Sequence, residues 1–134
     1  MTKKLVWIAL FSFIFVMSCA EKESKTAKAN KGKPHISFDT TRYDFGQAKS
    51  GEELIVEFDF TNTGKGSLRI SRIESSCGCT VANYPKEDIA PGQGGTIQAI
   101  FDTGGFSGYQ YKTLLVYTNA DNSPVKLEIT GTIQ

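Results

Sequence analysis

The chain has 134 residues, and its 15 lysines and arginines against 14 acidic residues leave a formal net charge of +1. That near-balance excludes a strongly basic protein built to neutralise nucleic-acid phosphates, and the length allows one small core rather than two. With three cysteines, the chain is not a disulfide-dense scaffold either.

The amino terminus has the layout of a bacterial lipoprotein signal over residues 1–19. Lys3 and Lys4 make a basic start, Leu5 to Val16 is apolar, and Val16-Met17-Ser18-Cys19 places a small residue before a cysteine. An ordinary secretory signal ends in a small-x-small pattern without a thiol, whereas lipoprotein processing needs Cys19 to carry the lipid. Met17 stands where a small or β-branched residue is usual. A transmembrane anchor fits less well, because the run from Leu5 to Met17 falls short of the roughly 20 apolar residues of a span. Diacylglycerol and an N-acyl chain on Cys19 would hold the mature protein at the membrane, since stable anchoring takes two or more such signals. The expected location is the cell envelope, periplasmic or surface-exposed, where a disulfide is permitted.

Residues 20–33 contain no large apolar side chain. Lys22, Lys25, Lys28, Lys31 and Lys33 against Glu21 and Glu23 give a net of +3, and such a stretch cannot bury enough surface to offset the entropy of ordering. It reads as a disordered tether. The remaining residues, 34–134, carry eight basic residues (Arg42, Lys49, Lys65, Arg69, Arg72, Lys86, Lys112 and Lys126) against twelve acidic ones, a net of −4. A nucleic-acid partner is therefore not expected.

Within this domain every apolar run alternates or is cut by Gly, Pro or Asn, which predicts strands and no helix. His35-Ile36-Ser37-Phe38 and Tyr43-Asp44-Phe45 give two short strands. Leu54, Val56, Phe58 and Phe60 alternate with Glu57 and Asp59, the period of a half-buried strand. After the turn Asn62-Thr63-Gly64-Lys65-Gly66, the spacing of Leu68, Ile70 and Ile73 slips by one, predicting a bulge near Ser71. Pro91-Gly92-Gln93-Gly94-Gly95 turns into Ile97, Ala99 and Phe101, and Tyr111 to Thr118 is aromatic and β-branched. Asn119 to Pro124 turns again before Val125, Leu127 and Ile129. About seven strands at this spacing predict an all-β, immunoglobulin-like β-sandwich.

Tyr43-Asp44-Phe45-Gly46, Phe60-Thr61-Asn62-Thr63-Gly64, Leu68-Arg69-Ile70, Ser76-Cys77-Gly78-Cys79-Thr80, Ile89-Ala90-Pro91-Gly92, Gly108 and Thr118-Asn119 carry a resemblance. Together they resemble the bacterial family called domain of unknown function 1573, over essentially all of residues 34–134. Its looser relatives resemble sandwich domains of sperm-protein, pilus-chaperone and cilia-associated type, which implies binding and not catalysis. That implication rests on fold analogy.

Cys77-Gly78-Cys79 is the one candidate for chemistry. On an extended strand the two side chains share a face with Val81, so one reading is a pair of small hydrophobes in the core. A disulfide between them requires the backbone to leave the extended form, and Gly78 permits it. A metal site is the third reading. Two sulfurs do not complete a tetrahedral zinc site, and the lone His35 is distant in sequence, although a soft ion such as Cu(I) needs fewer ligands. Redox catalysis of the familiar kind uses two residues between its cysteines and a helix start, and here there is one residue and a strand. Gly104-Gly105-Phe106-Ser107-Gly108 lacks the Lys-Ser or Lys-Thr of a phosphate loop and reads as a strand connection. Asp102, Asn119, Asp121 and Asn122 match no calcium loop and read as turn residues. No constellation for an enzyme is legible, and no cofactor is expected. The expectation is a lipid-anchored binding or assembly module with a protein or glycan partner. A thiol-dependent metal-handling or redox protein using Cys77 and Cys79 is the alternative.

Overall fold

The computed structural model describes residues 32–76 and 79–134. These residues form eight strands and no helix: β1 (Ile36–Phe38), β2 (Arg42–Ala48), β3 (Glu53–Asn62), β4 (Ile70–Ser75), β5 (Cys79–Asn83), β6 (Gly94–Asp102), β7 (Gly108–Thr118) and β8 (Val125–Ile133). They pack as two four-stranded sheets, β1-β3-β6-β5 and β2-β8-β7-β4. The fold is the expected immunoglobulin-like β-sandwich. The eighth strand is β5, which leaves the Cys-Gly-Cys segment and pairs with β6.

Alternation in β3 and β6 creates one wall of the core. Val56 registers with Ala99, Phe58 with Ile97 and Leu54 with Phe101, and the fully buried side chains of these pairs face Leu114, Val116, Leu127 and Ile129 from the other sheet. Phe60 registers with Gly95, and a Cβ at Gly95 would lie 3.2 Å from the Phe60 ring and 2.7 Å from Pro85. A glycine there lets the ring lie flat against β6. Gly131 plays the same part on β8, where any side chain would collide with the ring of Phe45.

The predicted bulge near Ser71 is present as a register shift between Ile70 and Arg72 where β4 meets β7. It returns Ile73 to the core side and leaves Arg72 exposed. Sequence did not reveal that the first edge divides. β1 pairs antiparallel with β3 in one sheet, then the chain crosses at residues 39–41 and β2 pairs parallel with β8 in the other. Asn62, read as a turn residue, is fully buried. Its Nδ2 donates to the carbonyls of Gly66 and Ile89 at 2.8 and 2.9 Å, and its Oδ1 accepts from the amides of Gly64 and His35.

Candidate functional site

Of the residues singled out from the sequence, Cys19 and Cys77 lie outside the described residues. Cys79 opens β5 at the register position opposite Phe101. The Gly104–Gly108 stretch connects β6 to β7, with Asp102 accepting from the Gly104 amide, as expected of a strand connection. The turn residues hold the fold together. Asn119 accepts from the Arg69 amide and donates to the Ser67 carbonyl, Asn122 donates to the Ile36 carbonyl, and Asp121 meets His35 at 2.7 Å. Among the described residues, no three His, Cys, Asp or Glu side chains converge as metal ligands.

The feature that sequence reading missed is the outer face of the β2-β8-β7-β4 sheet. Lys112, Leu114 and Val116 of β7 are buried, so Tyr109, Tyr111, Thr113, Leu115 and Tyr117 alternate with them on the outside. Tyr109 and Tyr111 are 69% and 49% exposed. On the neighbouring strand, Glu128 also points outward, yet it is only 9% exposed. Side chains from three strands cover it. Arg42 of β2 donates through Nε and Nη2 to one carboxylate oxygen at 2.9 and 2.7 Å, while the Tyr111 hydroxyl donates to the other at 2.6 Å. Lys126 reaches that second oxygen at 2.8 Å and also donates to the Tyr111 hydroxyl.

The electrostatic consequence is direct. Hydrogen bonds from Lys126, Tyr111 and Arg42, in that order, pull the Glu128 carboxyl down to about 2, and the same carboxylate raises Arg42 and Lys126. Glu128 is a fixed anion at neutral pH. A second group lies further along β7, where the Arg72 guanidinium stacks 3.7 Å from the Tyr117 ring centre. Glu74 there accepts from both Arg72 and Tyr117, and those bonds lower its carboxyl. The result is a row of tyrosine rings on one strand, with two of their hydroxyls pinned by carboxylates on neighbouring strands.

Sheet order, alternation and the split first edge define an immunoglobulin-like β-sandwich. The chain belongs to the family described as protein of unknown function (DUF1573), whose model matches residues 36–133. No curated protein matches the sequence. Among solved structures, a protein of unknown function from Porphyromonas gingivalis W83 is similar with a TM-score of 0.66 at 17% identity, over 79% of this chain and 50% of that one. The secreted serine protease VesC from Vibrio cholerae gives 0.60 at 14% identity, over 74% of this chain and 23% of the protease. The ASH/PapD-like domain 7 of human CEP192 gives 0.58 at 9% identity, over 76% of this chain and 87% of that domain. The chain thus spans half or less of the first two. At these identities the likeness is one of fold.

Proposed function

We propose that the protein is a lipid-anchored cell-envelope binding or assembly module without catalytic activity. It meets a protein or glycan partner through the outer face of the β2-β8-β7-β4 sheet. The observation that carries this reading is the pair of exposed rings on β7, Tyr109 and Tyr111, beside the Arg42–Glu128–Lys126 network. Tyrosine and arginine dominate the energetics of recognition surfaces. A ring whose hydroxyl is already tied to a carboxylate loses little further freedom on binding, which favours affinity. Anchoring at Cys19 is supported by the signal pattern, and the basic tether suits attraction to anionic headgroups.

A photo-crosslinking amino acid placed at position 109 in living cells tests the surface. The expected result is a discrete covalent adduct, absent when the same group replaces Ile55, which is 58% exposed on the other sheet. Adducts of equal yield from both positions, or none from position 109, would overturn the reading. Mass spectrometry of the adduct separates protein from glycan.

A further inference from the structure

Tyr109 and Tyr111 lie two positions apart on β7, which separates their backbones by about 7 Å on one side of the sheet. Tyr111 is held in place by its hydroxyl on Glu128. Tyr109 continues the row beyond it, in register with Thr132 of β8, which is in turn in register with Gln47 of β2. The two exposed rings are thus flanked on that side by a neutral hydroxyl and a neutral amide. At the far end of β7 the Tyr117 ring is already covered by the Arg72 guanidinium.

Charge narrows what can lie on these rings. The charged side chains of this face are Arg42, Lys126 and Arg72 against Glu128, Glu74 and Asp44, a net of 3 − 3 = 0. Each cation is matched within the face, Arg42 and Lys126 by Glu128, and Arg72 by Glu74. Asp44 accepts from the Gly46 amide. An anionic partner finds these cations already bound, and a cationic one finds Glu128 and Glu74 already bound. A face whose charges cancel steers neither toward it.

A protein partner meets a different obstacle. The core of a protein interface is depleted of charged groups, whereas here the side chains of Arg42, Lys126, Arg72 and Glu74 stand beside the rings and are more than half exposed. A protein laid over them strips their water, and desolvating ion pairs is costly. Sugar hydroxyls replace that water as donors and acceptors. Arg42 gives only Nε and Nη2 to Glu128, and a guanidinium has five N–H donors in all. The C–H face of a sugar, slightly positive, suits the negative face of an aromatic ring.

We infer that Tyr109 and Tyr111 form a carbohydrate-binding platform for a chain of neutral sugar units. Sugar rings rest on the two tyrosines, and their hydroxyls meet Arg42, Lys126, Thr132 and Gln47. This rests on the reading of the outer sheet face as the binding surface and names its ligand class. Tyr109 and Tyr111 are the contact residues, and Glu128 is a positioning residue that acts through the Tyr111 hydroxyl.

The test is binding of the full-length protein, in detergent, to an array of immobilised cellohexaose, mannohexaose and xylohexaose, with hexagalacturonate as the charged comparison. Retention is expected on at least one neutral chain and not on the hexagalacturonate, and it should survive high salt, because no ion pair to the ligand is involved. Tyr109→Ala should weaken it about tenfold, whereas Tyr109→Phe should stay within about threefold of the parent, since the ring makes the contact. Tyr109 is exposed, so these replacements spare the core, and Ile55→Ala on the other sheet should change nothing. Absence of retention on every neutral chain, retention on hexagalacturonate alone, or equal retention of the parent and Tyr109→Ala would overturn the inference. If any of these occurs while position 109 still yields a discrete protein adduct in cells, the face stands as the binding surface and only the ligand class falls. With no adduct either, both fall.

Discussion

Glu128 shows how much of a residue's behaviour comes from strands distant in sequence. The alternation Lys126, Glu128, Thr130 correctly places it on the outer side of β8. Its burial was not legible there, because Arg42 stands 86 positions away and reaches it only through the parallel pairing of β2. The carboxyl is lowered in the folded state to about 2, from an ordinary value near 4.5. A depressed folded value means that the contribution is present in full above the unfolded value and is lost as pH falls from about 4.5 toward 2. Glu128→Gln should therefore lower stability at pH 7 and narrow the gap to the parent at pH 2, read by thermal melts at both values. A constant gap would show that the ion pairs are not its source. Asn62 is a comparable case. In the sequence it is one polar residue in a Thr-Asn-Thr-Gly turn, and nothing there says that four backbone groups converge on its amide. Asn62→Ala leaves buried carbonyls at Gly66 and Ile89 without donors, and should cost about 1 to 3 kcal/mol in denaturant titration.

At the scale of elements, legibility follows the strength of alternation. β3, β6 and the first half of β8 were readable because each presents three or four apolar residues at a period of two, and the register follows from one buried face. Phe58→Ala should cost about 3 to 5 kcal/mol and Glu57→Ala under about 0.5, since the first empties a fully buried site and the second removes an exposed group that meets only Gln98. Equal losses in urea melts would contradict the register of β3 against β6. The bulge in β4 was legible from a one-residue slip in apolar spacing. The partner of β2 was not. Tyr43-Asp44-Phe45 is too short to carry a register, and parallel pairing with the last strand requires a crossing between sheets that no local pattern encodes. The outer tyrosines of β7 were seen as strand-forming residues and not as a surface, because alternation reveals two faces without saying which neighbours line them.

For the whole molecule, the family motif and the strand count were enough to give the sandwich. The site was less accessible. The Cys-Gly-Cys motif stood out in sequence, but the outer face of β7 and β8 did not, because alternation does not say which strands lie side by side; the pairing of β7 with β8 and of β2 with β8 assembles that face. Location is the other property of the whole chain that can be tested. Cys19→Ala should move the protein from the membrane pellet to the soluble fraction while its circular dichroism stays unchanged, because residues 20–33 contribute no large apolar side chain to the domain. A processed variant that stays in the pellet would show that lipid is not the anchor.

The divided first edge also has a mechanical consequence. Any pull exerted between a membrane-held amino terminus and a partner seated on the β8-β7 face must pass through β1 and then β2. β1 has three residues and pairs with the end of β3. Beyond it, β2 runs parallel to β8 over Arg42–Ala48, so a pull along its axis strains several rungs together, whereas an antiparallel hairpin pulled from its open end gives way one rung at a time. The short strand would peel first, lengthening the leash, and the parallel pair would then resist by shear. If the amino terminus is anchored as proposed, the link would therefore lengthen at β1 before the β2–β8 pair gave way.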